Sequence, residues 1–161
     1  MLPAWQARVE KWMASPGSEG VLLLVVALVY IGALGSGFVW DDTGLVLRND
    51  QTSSLSNIPA VLTGDLWDGA PIDGEGSGYY RPLMVISLMV DHQFWPGSAV
   101  GHHLHSILWH LLAVYAVFCL LRQCLGLRWA WPVSAVFGLH AAQSEAVIWI
   151  SARNDTMAVA L

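Results

Sequence analysis

The sequence predicts an all-α fold: a multi-pass bundle of transmembrane helices with an outer loop that carries a short interfacial helix. Three observations predict it. Hydrophobic residues fill 55% of the chain and charged ones only 12%, too apolar a balance for a water-facing surface. The run from Val21 to Trp40 carries no charge and matches the roughly 20 residues that cross about 30 Å of hydrocarbon as a helix. Further apolar segments follow at 82–95, 102–121 and 129–150, and nine tryptophans and four tyrosines suit long interfacial belts.

Taken in order, residues 1–19 read as an amphipathic lead-in, with Trp5, Val9 and Trp12 at helical spacing and a break at Ser15-Pro16-Gly17. The first span, 21–40, has a signal-peptide alternative, because Arg8 and Lys11 precede it and small residues Gly35-Ser36-Gly37 sit near its end. The apolar run exceeds the usual length of a signal core and more hydrophobic segments follow, which favours an uncleaved anchor. An outer loop, 41–78, comes next. Within it Ser56-Asn57-Ile58-Pro59 offers an N-cap and a first-turn proline, and Ile58, Val61, Leu62, Leu66 and Trp67 fall near one helical face. Gly69 to Gly78 reads as a flexible stretch.

The segment 82–95 is short and contains Asp91 and His92, so a tilted span, a re-entrant helix and a buried amphipathic helix all fit it. The later segments, 102–121 and 129–150, have the length of spans, and Arg122 and Arg128 lie between them. The positive-inside rule puts those arginines in the cytoplasm, which places Arg153 and Asp155 on the outer side with Asp41 and Asp42 if 82–95 does not cross completely. The chain stops at Leu161 inside an apolar stretch, so 20–161 reads as the opening portion of a larger transmembrane domain. Seven acidic residues against Arg48 make the outer loop a poor partner for nucleic acid or anionic headgroups. Cys119 and Cys124 are five apart, do not face each other and read as free thiols.

Ionisable groups kept in or beside spans are candidates for function, because each is costly in hydrocarbon. They are Asp41, Asp42, Arg81, Asp91, His92, His102, His103, His105, His110, His140, Glu145, Arg153 and Asp155. Paired carboxylates can divide labour, one taking a proton from a hydroxyl while the other orients a ligand; a solvated pair marking the interface is the alternative. Arg81, between tyrosines and a proline, suits a phosphate headgroup or snorkels at the surface. His103 and His110, with His140, present a possible metal or haem set, against ordinary hydrogen-bonded histidines. On a straight helix His140 and Glu145 diverge by about 140° and do not act as one pair; each can line a cavity shared with other segments, and a surface pairing of Glu145 with Arg153 is the alternative.

The ordered series Trp40-Asp41-Asp42, Tyr80-Arg81-Pro82-Leu83, a His-rich helix start, then His140-x4-Glu145-x-Val147-x-Trp149-Ile150 and Arg153-x-Asp155 resembles membrane glycosyltransferases of the GT-C type. The likeness is greatest to the transmembrane and tetratricopeptide-repeat O-mannosyltransferases and their bacterial relatives, and it runs from Phe38 to about Asp155. It implies a polyprenyl-phosphate-linked sugar, such as mannose, as donor and a protein or glycan acceptor on the lumenal or periplasmic side. A multi-pass protein of the bacterial inner membrane or endoplasmic reticulum is implied with it. Asp41 or Asp42 would be the catalytic base. Arg81, His103, His140, Glu145, Arg153 and Asp155 would bind donor phosphate or substrate. No metal ligands are assigned, and a divalent cation is the one cofactor in view. Two departures, His140-Ala141 for His-Pro and Ala152-Arg153 for Gly-Arg, bear on the local helix break. Residues 1–161 alone are not expected to turn over, because more spans are needed to enclose a donor. A histidine-ligated metal or haem protein, and a transporter or anchor, are the other classes.

Overall fold

The computed structural model describes residues 3–13, 15, 17–70 and 77–161, and every element among them is helical. Six residues of the predicted flexible stretch, 71–76, with Asp73 and Glu75, lie outside the described residues. The amphipathic lead-in is α1 (Ala4–Met13), whose Trp12 meets Trp131 edge-on at 5.6 Å while Trp5 and Val9 stay exposed.

The uncharged run from Val21 onward in α2 (Ser18–Tyr30) buries Leu22, Val26 and Tyr30 along one stripe at helical spacing. The opposite stripe, with Leu24, Leu28 and Val29, is exposed, as a face against lipid tails would be. After a 3-10 segment, Ile31–Gly35, the backbone turns extended at Ser36 (φ −80°, ψ 153°). The expected span 21–40 is therefore displaced: the apolar helix runs Ser18–Gly35, because Gly32, Gly35 and Gly37 weaken its end. Asp41 and Asp42 do not sit on the end of that helix, as the sequence suggested, but beyond an extended segment.

The outer loop starts with Trp40 in the left-handed region (φ 46°) and then a single π-turn, Thr43–Leu47, closed by Arg48 N–H on Thr43 O at 3.1 Å. The interfacial helix is one turn, α3 (Ile58–Val61), preceded by a 3-10 turn, Leu55–Asn57. The 3-10 turn is capped by Ser54, whose hydroxyl accepts from Ser56 N at 3.3 Å, while Asn57 holds the N-cap position of α3 without a side-chain bond to its amides. Asn57 instead donates to the carbonyls of Asp50 and Gln51.

α4 (Pro82–Phe94) has 13 residues, about 20 Å, too short to cross hydrocarbon. Both of its ends meet the outer loop: Tyr80, just before it, donates to Leu62 O at 2.8 Å, and Gln93 donates to Ser53 O at 3.2 Å. The chain then reverses at Gly97 (φ 70°) into α5 (Ala99–Leu125), the second helix long and apolar enough to span, three residues earlier and four later than expected. Gly101 admits Trp95 so closely that an added Cβ would lie 2.2 Å from the indole Cγ. Gly101→Ala is expected to cost about 1–3 kcal/mol by overpacking, read as a lower melting temperature of the intact protein in detergent; an unchanged one would refute the close approach.

Gly126 (φ 78°) turns the chain into α6 (Leu127–Leu139), which returns along α5 so that Gly138 packs on Val114 and Val26. The predicted span 129–150 is not one helix. It breaks at His140 (ψ 136°) and resumes as α7 (Gln143–Ile148), a 3-10 turn Ile150–Ala152 and α8 (Arg153–Ala160). No proline is needed for the break: His140 Nδ1 accepts from Ala142 N at 3.1 Å and takes up one of the amides freed there.

Trp131 donates to Ser18 O at 3.1 Å, so the start of α2 lies beside the start of α6. Arg8 and Lys11 on α1 thus share one end of the bundle with Arg122 and Arg128, while Asp41, Glu145 and Asp155 share the other. Two buried apolar clusters result. One, with Leu22, Val26, Ile107, Val114 and Phe118, joins α2, α5 and α6; the other, with Leu45, Val46, Met84, Leu88 and Met157, lies under the outer loop.

Candidate active site

A cavity of about 270 Å³ opens at the acidic end. Asp41, Arg81, Glu145, Ser151, Asn154 and Asp155 supply its polar walls and Trp67, Tyr79 and Trp149 its aromatic ones. Local folding explains how each arrives. Asp41 follows the left-handed turn at Trp40, which is closed by Asp42 N–H on Val39 O at 2.9 Å. Arg81 is brought back to the loop because Leu66 N–H donates to Tyr79 O at 2.8 Å. Its guanidinium lies 5.2 Å from the Tyr79 ring centroid and donates from Nη1 to Asn154 Oδ1 at 3.1 Å. Glu145 falls in the first turn of α7 and Asp155 in that of α8, positions that suit a carboxylate next to a helix N-terminus.

An apolar groove of about 340 Å³, walled by Tyr80, Pro82, Leu83, Met84, Met157 and Ala158, adjoins this cavity and shares Arg81 and Asn154 with it. A polar chamber with one basic and three acidic side chains thus continues into a hydrophobic furrow.

The two adjacent aspartates have opposite fates. Asp42 is fully buried and lines no part of the cavity; its Oδ1 accepts from Ser151 N at 2.9 Å and from Ser151 Oγ at 2.5 Å. Only Asp41 of the pair reaches the chamber.

Arg153 is likewise no ligand-binding group on the cavity wall. It is fully buried and donates to Asp91 Oδ2 at 2.6 Å, Ser87 Oγ at 2.7 Å, Ser106 Oγ at 3.1 Å and His102 O at 2.8 Å. Desolvation pushes its pKa down while the Asp91 carboxylate opposes that shift. The expected Glu145–Arg153 pair is replaced by this buried bridge, because α8 begins at Arg153 and aims the side chain between α4 and α5. His105 completes the network through Nδ1 on Asp91 Oδ1.

His103 and His140 do not join the cavity. His103 is buried in α5, and His140 is exposed beside Ala135, Val136 and Leu139 on another face. The proposed set His103, His110 and His140 is not assembled as a metal site, since His110 Nε2–H donates to Gly138 O at 2.9 Å and His140 lies elsewhere. Among the described residues no three His, Cys, Asp or Glu side chains are grouped to hold a metal ion.

Ser151 and Asn154 escaped the sequence reading because a search for ionisable groups passes over neutral hydroxyls and amides. Their position inside the polar run Ser151-Ala152-Arg153-Asn154-Asp155 was the available signal.

No protein-family model and no solved structure matches the chain. Curated proteins do. The protein O-mannosyl-transferase Tmtc1 of Drosophila melanogaster is 30% identical over 129 residues, 80% of this chain and 15% of its own length. Tmtc2 of the same fly is 34% identical over 134 residues, 81% of this chain and 14% of its own. TMTC3 of Mus musculus is 25% identical over 138 residues, 85% of this chain and 15% of its own. The chain spans about one seventh of the length of the curated relatives it matches. It is a sequence relative of the transmembrane and tetratricopeptide-repeat protein O-mannosyl-transferases.

Proposed function

We propose that this chain forms the catalytic corner of a GT-C type glycosyltransferase, which moves a mannose from a polyprenyl-phosphate carrier to a hydroxyl of an acceptor protein outside the cytoplasm. The observation that carries the reading is the joining of Asp41 and Arg81 in one chamber that opens onto an apolar groove. Asp41 takes the proton of the acceptor hydroxyl as its oxygen attacks the anomeric carbon. The bond between that carbon and the phosphate oxygen breaks with inversion, and the electron pair leaves with the lipid phosphate. Arg81, oriented by Asn154, stabilises the charge on that phosphate. The prenyl chain lies along Pro82, Leu83 and Met157, which explains why a charged chamber and a hydrophobic furrow meet at the same arginine.

Orientation follows from charge. With Arg8, Lys11, Arg122 and Arg128 toward the cytoplasm, α2 runs outward and α5 inward, so the chamber, at the opposite end, faces the lumen or periplasm as part of a multi-pass protein.

The test is transfer from polyprenyl-phosphate mannose by the intact protein. Arg81→Ala is expected to raise the donor KM roughly tenfold or more, since a hydrogen bond to a charged group contributes about 1.5–3 kcal/mol; Arg81→Lys should recover part of it, lacking the planar fork. Unchanged KM and unchanged kcat in Arg81→Ala would remove this residue from the site, and a parent protein that moves no sugar from such a donor would overturn the reaction itself.

A further inference from the structure

We propose that Asp42 is a positioning residue for the sugar transfer, latched to Ser151 so that Asp41 is held in the cavity wall. This inference rests on the reaction proposed above. Its geometry is independent of it.

Asp42 cannot touch a substrate in the chamber, because it is fully buried and absent from the cavity lining. What it does touch is specific. Oδ2 accepts from Val39 N at 3.1 Å, which closes its own turn around Trp40, and Oδ1 accepts both the amide and the hydroxyl of Ser151. One carboxylate therefore joins two segments 109 residues apart. The first carries Asp41; the second runs directly into Asn154 and Asp155, on the far wall of the same chamber.

The latch also has a strain to hold. Trp40 is the one non-glycine with positive φ among the described residues, and it immediately precedes Asp41. A bulky residue in that region persists only where its surroundings over-determine the backbone, and Asp42 supplies the bonds on its far side. The Ser151–Asn154 stretch in turn serves both groups of the proposed chemistry: Ser151 ties down the loop of Asp41, and Asn154 accepts from Arg81. Adjacent aspartates are thus not two versions of one base but a base and its mount.

The chemistry of the obvious variant follows from the bonding. Asn in place of Asp42 must turn its amide NH2 toward either Val39 N–H or the Ser151 donors, so one side of the latch is lost whichever way it lies. Ser151→Ala removes only the hydroxyl bond and leaves the amide bond, a milder change that keeps the comparison informative if the first variant folds poorly.

Two measurements on the intact protein test the proposal. In transfer from polyprenyl-phosphate mannose, Asp42→Asn and Ser151→Ala should each lower kcat about ten- to a hundredfold, the penalty of a slightly misplaced reacting group, with donor KM within about twofold of the parent. Parent kcat in both variants would overturn the assignment, as would a change confined to KM. In labelling with a water-soluble carbodiimide and an amine, followed by peptide mass analysis, the parent should react at Asp41 and be protected at Asp42. Equal labelling of both aspartates in the parent would refute the latch. Because labelling needs no turnover, it decides the latch even where the parent moves no mannose and the reaction itself is refuted.

Discussion

Asp41→Asn in the intact protein is expected to lose about 10²–10⁴-fold of its transfer rate, the range that a positioned general base contributes. Asparagine keeps the size and polarity of the side chain but cannot accept the proton that the acceptor hydroxyl must shed. The cavity wall would be unaltered in shape, so the donor KM should change little. Membrane insertion and melting temperature should match the parent, because Asp41 is only half-buried and makes none of the buried bonds of its neighbour. The measurement is radiolabelled mannose transfer against protein recovered in the membrane fraction. Retained transfer would remove Asp41 from the reaction and leave the chamber without a base on that wall.

The second large effect is on stability. Arg153→Met is expected to cost about 3–5 kcal/mol, because it leaves Asp91 buried and without its main partner. That is a large share of the roughly 5–15 kcal/mol that holds a typical domain folded. His105, with its ring nitrogen on the other oxygen of Asp91, is partly exposed and offsets only some of the loss. The double variant Arg153→Met with Asp91→Leu should recover most of it, since apolar replacement of a whole buried pair is commonly neutral or better. Denaturant unfolding in mild detergent would compare the two. Equal destabilisation in the single and double variants would mean that the arginine does something other than neutralise Asp91.

Much of this was legible in the residues. The all-helical class followed from apolar runs, and the motifs Trp40-Asp41-Asp42, Tyr80-Arg81-Pro82-Leu83 and Arg153-x-Asp155 do converge at one end of the bundle. The division of roles within them was not legible. Asp41 and Asp42 are chemically identical neighbours, and only Ser151, 109 positions onward, determines that the second is sealed inside. Arg153 looked like a surface partner of Glu145, the nearest carboxylate outside its own turn; its actual partner, Asp91, is 62 residues away, a pairing that no periodicity encodes. The break at His140 lacked the proline that would have announced it, and depends instead on a side chain turning back on its own amides. The end of the first span failed for a simpler reason: hydropathy counts glycine and serine as tolerable in a membrane, whereas backbone propensity stops the helix there.

The division of the apolar interior into two clusters has a consequence for how the molecule yields. Residues that share no common hydrophobic cluster tend to open as separate cooperative units, the less deeply packed one first. Here the unit under the outer loop, around Leu45, Met84 and Met157, contains the chamber, and the unit around Val26, Val114 and Phe118 contains the long helices. By that principle the walls of the chamber can loosen while the packing between the long helices persists.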